Sequence, residues 1–228
     1  MYGYNPEAIK PGMVSPFDSE KMLYILTKQK KICCKIKSKN LGTGFFCKLS
    51  LPNSLKILPV LMTCNHVLDK EDIKIGKTIE YTLDNGKIKY SIKIDNSRIV
   101  YTNIIFDFTI IQLRKKEFPD INSLLEIDEE ILKNKQIKNL NETSIYLLHY
   151  LNGQYANISF GTIKKIEEDT YTIQHTCGSE KGSSGGPLIN NINMKLIGIH
   201  KGTNKNFNLG TYIKPIIEYF FNDLKSKK

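Results

Sequence analysis

Gly182-Ser183-Ser184-Gly185-Gly186-Pro187 is the stretch on which the reading of this chain turns. Glycines crowd a serine where an attacked carbonyl must lie almost on the backbone, since a β-carbon would block the approach or forbid the φ/ψ needed. With Gly182 at the turn, its N–H and that of Ser184 can point the same way and hold a developing oxyanion. One serine hydroxyl is a weak nucleophile near neutrality, so a base and an orienting acid have to come from elsewhere.

Two earlier stretches offer them. Pro59-Val60-Leu61-Met62 is an apolar strand that runs through Thr63-Cys64-Asn65 into His66. Ile104-Ile105-Phe106-Asp107-Phe108-Thr109-Ile110-Ile111 sets one carboxylate at the head of an apolar, β-branched run. An unpaired carboxylate there is costly to bury, and an imidazole N–H would satisfy it. Asp95 is the competing acid, but Asn96-Ser97 beside it reads as a turn. The order His, Asp, Ser matches one worked arrangement of the triad and differs from those on other folds.

The chain resembles the trypsin/chymotrypsin-type serine peptidases. Five segments match in order: Gly42-Thr43-Gly44-Phe45-Phe46, Thr63 to Val67, Asp107 to Ile111, Gly182 to Pro187, and Leu196-Ile197-Gly198-Ile199-His200. Each alone says little; five in register over about residues 42 to 202 say much. The resemblance implies an all-β fold of two packed six-stranded antiparallel barrels, with a short N-terminal helix and a C-terminal helix. It implies His66 as general base, Asp107 as orienting acid, Ser184 as nucleophile, and the Gly182 and Ser184 amides as oxyanion hole. The expected activity is hydrolysis of peptide bonds through an acyl-enzyme. Ser183 stands where activated digestive members carry an aspartate that pairs with a new N-terminal amine. No Ile-Val-Gly-Gly-like cleavage site is present, so a preformed oxyanion loop is expected.

The substrate pocket is read from the same resemblance. His200 matches the histidine that lines the pocket in staphylococcal glutamyl endopeptidases and picornaviral cysteine proteases. Ser179 matches a hydroxyl partner in the glutamyl enzymes. Gly178 occupies the place where trypsins put an aspartate, so nothing supports a Lys/Arg preference. With Lys201 and Gly202 completing the pocket, cleavage after Glu is expected, with Gln or Asp as alternatives. Lys201 can add attraction for an acid or face solvent. His149 and His175 fall in strand-like stretches and read as structural.

Composition bounds the rest. At 228 residues, with 40% apolar and 25% charged residues, the chain is long enough for two small barrels packed together. A net charge of +10 comes mostly from scattered lysines; no aromatic-interleaved stripe or known motif supports nucleic-acid binding. No apolar run approaches 18 residues, so no membrane partner is expected. Residues 1–7 lack a basic region followed by an apolar one, and the location expected is the cytoplasm, with leaderless export left open. Five cysteines make no even framework, and reduced thiols are expected although Cys47 and Cys64 could lie near each other. No spacing of Cys and His reads as a metal site and no phosphate loop precedes a helix, so neither metal nor cofactor is expected. The partner is a peptide or protein substrate; oligomeric state is not readable.

As one domain over 1–228, the chain divides into a Pro-containing arm and helix (1–30, N-cap Ser19), a first barrel (31–115), a connection (116–143), a second barrel (144–212) and a helix (213–228). Asp84-Asn85-Gly86 predicts a hairpin turn, and Ile213, Ile216, Ile217, Phe220 and Leu224 predict one buried helix face. Two rival functions remain: a catalytically idle barrel that binds peptides or RNA, and an enzyme that trims its own arm.

Overall fold

The computed structural model describes residues 18–51, 56–133 and 140–226. All but the last residue of the Pro-containing arm therefore lies outside the described residues. Helix α1 spans Ser19–Ile32 and buries Ile25, Gln29 and Ile32, a stripe spaced by four and three residues. Its N-cap is Asp18, not Ser19: the Asp18 carboxylate accepts from the Lys21 amide at 2.7 Å, the contact an Asx side chain makes best just outside the first turn.

Strands β1 (Cys33–Lys37), β2 (Leu41–Ser50), β3 (Ile57–Thr63), β4 (Thr78–Leu83), β5 (Ile88–Lys93), β6 (Val100–Asn103) and β7 (Phe108–Gln112) form the first sheet. Their order is β5-β4-β1-β2-β3-β7-β6. It is an antiparallel half-barrel of seven strands rather than a closed barrel of six: β6 pairs only with β7, and β5 only with β4. The turn between β4 and β5 is the expected Asp84-Asn85-Gly86, with all three φ positive, which is why Asn and Gly stand there.

The second unit is a closed barrel. Its strands are β8 (Ser144–Leu151), β9 (Tyr155–Glu167), β10 (Thr172–His175), β11 (Pro187–Asn190), β12 (Leu196–Thr203) and β13 (Asn208–Tyr212). Helix α3 (Ile213–Ser226) follows and buries Ile213, Ile216, Ile217 and Phe220. The fold is thus the expected two-barrel, mostly β architecture with a helix near each end. Short helix α2 (Glu129–Lys133) sits in the connection. That connection also bridges the two sheets: Leu125 pairs with Cys47 and Ile127 with Leu196.

Each unit has an apolar interior, with Phe45, Phe46, Tyr81 and Phe108 in the first and Leu147, Leu188, Ile199 and Tyr212 in the second, all nearly sealed from solvent. Each such side chain contributes about 1.5–3 kcal/mol. All five cysteines are buried and unpaired as disulfides. Among the described residues no helix is long and apolar enough to cross a membrane.

Candidate active site

The site lies on the seam between the units. His66 sits in the turn after β3, where the amides of Val67 and Leu68 both donate to the Cys64 carbonyl. Asn40 Nδ2 holds the His66 carbonyl at 2.7 Å and Thr109 Oγ1 holds that of Leu68 at 2.7 Å. Asp107 ends the turn before β7 with φ of 53°, a left-handed conformation that Asp tolerates better than most residues. Both of its carboxylate oxygens grip His66. Oδ2 lies 2.7 Å from the ring Nδ1, and Oδ1 accepts the backbone N–H at 2.9 Å. A carboxylate can only accept, so Nδ1 carries the hydrogen and the lone pair of a neutral ring is left on Nε2. Asp95, the competing acid, is bound to the Arg114 guanidinium at 2.7 and 2.8 Å.

Ser184 is reached from the other unit. The Thr43 amide donates to its carbonyl at 2.8 Å, and Thr43 Oγ1 donates to the Gly182 carbonyl at 2.7 Å. Thr43 in turn accepts from Thr63 Oγ1 through its own carbonyl at 2.7 Å. The His200 carbonyl accepts from the Gly185 amide at 2.8 Å and from Cys64 Sγ at 3.2 Å. One carbonyl therefore ties the residue after Ser184 to the residue two before His66. The Ser184 hydroxyl is half-buried, and among the described residues no hydrogen bond joins it to His66 or any other group. Bonds of this kind are often long in a free enzyme and tighten with substrate.

Two glycines in the loop are required. Gly185 has φ of 89°, and a Cβ there would fall 2.0 Å from the Thr43 carbonyl oxygen; Gly182 has φ of 93°, and its Cβ would meet the Tyr150 oxygen at 2.6 Å. The amides of Ser183, Gly185 and Gly186 are taken by Glu180, His200 and Ser183 carbonyls. Those of Gly182 and Ser184 have no protein partner among the described residues.

The pocket residues separate. Gly178 is exposed, and a Cβ on either Gly178 or Gly202 would meet open space. His200 is buried, with Nδ1 3.2 Å from Nε2 of buried His175. Burial first, then the neighbouring imidazoles, push its pKa well below the ordinary histidine range, so the ring is neutral. Ser179 turns its hydroxyl to Asn208 Oδ1. Lys201 Nζ donates to Thr172 Oγ1 at 2.9 Å. Burial lowers its pKa, and the charge of Asp107 works against that shift.

With this geometry established, comparison becomes informative. Residues 42–199 match the trypsin-like peptidase domain. The chain belongs to that family. It is a serine-type peptidase, a hydrolase acting on peptide or protein substrates. No curated protein matches it in sequence. Among solved structures it is similar to a serine endoprotease from Yersinia pestis, with TM-score 0.62 and 13% identity over 92% of this chain and 68% of that one. It is also similar to an inactive form of the Rv3671c protease, with TM-score 0.60 and 17% identity over 90% of this chain and 96% of that one. A mutant of that protein from M. tuberculosis H37Rv gives TM-score 0.59 and 16% identity, covering 91% and 94%. At these identities the likeness is one of fold.

A ligand atom of Cys64, of His66 and of Asp107 lie within 4.8 Å of one another, the spacing of a metal site. The donors do not suit one. The carboxylate and Nδ1 are spent on each other, and burial, reinforced by Asp107, raises the Cys64 pKa and keeps the thiol protonated. The motifs give no supporting role to Thr43, Thr63, Cys64 or Ser159, and His149 reads there as structural. Thr43, Thr63 and Cys64 stand inside matched segments, whereas nothing local marks Ser159 or the bonds of His149.

Proposed function

We propose that this peptidase is an endopeptidase in which Ser184 attacks the scissile carbonyl, His66 takes its proton and returns it to the leaving amine, and Asp107 fixes the imidazole. The carbonyl oxygen, negative in the tetrahedral intermediate, is received by the Gly182 and Ser184 N–H groups. The acyl-enzyme that forms is then released by water on the same path in reverse. The double grip of Asp107 on His66 carries this reading. It leaves a bare Nε2 on the side of the ring away from the acid, as a base for a serine requires. The two free amides beside Ser184 support it independently.

For the residue before the scissile bond, the reading is a preference for Glu, with Gln or Asp accepted. Gly178 supplies room and no charge. His200 Nε2 has no partner among the described residues and is not among their fully sealed atoms, which leaves a neutral imidazole nitrogen available to hydrogen-bond a substrate side chain. A glutamate carboxylate against it would raise its pKa and draw in a proton. A peptide panel varied only at this position tests the preference: Glu should be cleaved fastest, and faster cleavage after Lys, Arg or Phe contradicts it. Ser184→Ala must be inactive on every member. The site of action, expected to be the cytoplasm, is tested by fractionation of the producing cell.

A further inference from the structure

His149 plays no part in the chemistry above, yet it is buried and both of its ring nitrogens are engaged. Nδ1 lies 2.7 Å from Ser183 Oγ and Nε2 lies 2.7 Å from Ser159 Oγ. Ser159 Oγ is also 2.6 Å from the Gly178 carbonyl, and the Glu180 amide donates to Ser183 Oγ at 3.0 Å. Every hydrogen in this chain can be assigned. A carbonyl only accepts, so Ser159 donates its single hydrogen to Gly178. Ser159 must then accept from His149 Nε2–H. The neutral ring has a bare Nδ1, which accepts from the Ser183 hydroxyl. Ser183 Oγ accepts in turn from Glu180 N–H. The direction is unique and no group is left over. It also requires a neutral ring, in agreement with the pKa of about 4 to which burial pushes His149.

We propose that Ser183, His149 and Ser159 are positioning residues that lock the oxyanion loop to the pocket wall. One end of the chain fixes the turn Glu180–Ser183, whose Ser183 amide also donates back to the Glu180 carbonyl at 3.0 Å. That turn carries the Gly182 and Ser184 amides. The other end fixes the carbonyl of Gly178, on the pocket side. This arrangement rests on the reading of Ser184 as nucleophile, and does for the loop what a buried ion pair with an N-terminal amine would do. The two ends predict separable effects: loss at Ser183 disturbs the oxyanion site and hence kcat, while loss at Ser159 disturbs the pocket and hence KM.

The test measures kcat, KM and the affinity of a peptidyl boronic acid for wild type, Ser183→Ala, Ser159→Ala, His149→Asn and His149→Gln, with thermal midpoints beside them. Misplacing an oxyanion donor should cost part of what its removal costs, so Ser183→Ala should lose about 10–100-fold in kcat and a similar factor in boronate affinity. Ser159→Ala should raise KM by about fivefold or more and keep kcat within about threefold. Asn puts an acceptor where Nδ1 stood, so His149→Asn should follow Ser159→Ala. Gln puts a donor where Nε2 stood, so His149→Gln should follow Ser183→Ala. If the His149 variants do not fold, the serine variants decide. Folded serine variants with wild-type kcat and KM would overturn the proposal. So would kcat and KM effects that merely track the thermal midpoints. A wild type that neither cleaves peptides nor reacts with a fluorophosphonate would remove the nucleophile itself, whereas a reactive wild type with unaltered variants removes only the positioning role.

Discussion

The first sheet keeps its single histidine, His66, on an exposed turn at the rim, while its buried residues are mostly apolar and include four thiols. The barrel buries all three of its histidines, His149, His175 and His200, and places Ser184 on a loop pinned from outside by Thr43. The contrast follows from what each half must do. In the proposed mechanism the imidazole has to reach both the serine and the leaving amine, which a position at the rim allows, and one carboxylate is enough to orient it. A loop that presents backbone amides has to stay still, and buried neutral hydrogen bonds hold it without stranding a charge.

The largest test of this division removes one group from each half. Ser184→Ala and His66→Ala should each lower kcat/KM by about 10⁴-fold or more, and the double variant should be no worse than either alone, because the two act as a unit. Multiplicative losses would show that the halves work separately.

Gly185→Ala attacks the seam. Its Cβ has no room against Thr43 and its φ is left-handed, so the variant should lose about 3 kcal/mol or more in urea denaturation, or fail to fold. A loss within 0.5 kcal/mol would mean the seam relaxes freely.

The buried imidazoles set the acid limit. His149 and His175 are held at about 4 by burial, below the ordinary value near 6.5. Between those values the unfolded chain binds more protons than the folded one, so stability falls as pH drops from about 6.5 toward 4 and then levels. Each group accounts for roughly 3 kcal/mol at most. Denaturation midpoints at pH 7.5, 5.5 and 4.5 check the slope. A flat profile contradicts burial of neutral rings, and His149→Gln should make the profile shallower.

Thr43→Val keeps the volume but removes the hydroxyl that donates to Gly182 and accepts from the Tyr150 amide at 3.0 Å. A loss of about 1–3 kcal/mol is expected. The smallest effect belongs to the thiols. With all five buried and shifted up in pKa, iodoacetamide should leave activity unchanged. Inactivation by that reagent would show that a thiol is reachable and needed for activity, against this account.

Much of this was legible in the sequence because its signals are local. The apolar run into His66 marked β3, the β-branched run after Asp107 marked β7, Asp84-Asn85-Gly86 marked the β4–β5 turn, and the 3-4 spacing after Ile213 marked α3. Strand β6 was not read, since Val100-Tyr101-Thr102-Asn103 is half-buried and half polar and gains its order by pairing with β7. Serine is a good cap, but the Asp18 carboxylate one residue earlier reaches the Lys21 amide and takes that role. The seventh strand and open edge of the first sheet depend on pairing that no local pattern encodes. The His149 chain was hidden for the same reason: its bonds join residues 10 and 34 positions apart. Thr43 stood in plain view between two glycines, but its purpose appears only when loop 182–186 folds against it.

The most direct test is the rate of labelling by a fluorophosphonate, with the modified peptide mapped by mass spectrometry. The account predicts one phosphonylated residue, Ser184, with labelling slowed by several orders of magnitude in His66→Ala. An unlabelled folded protein, a label on another serine, or an equal rate without the His66 imidazole would contradict it.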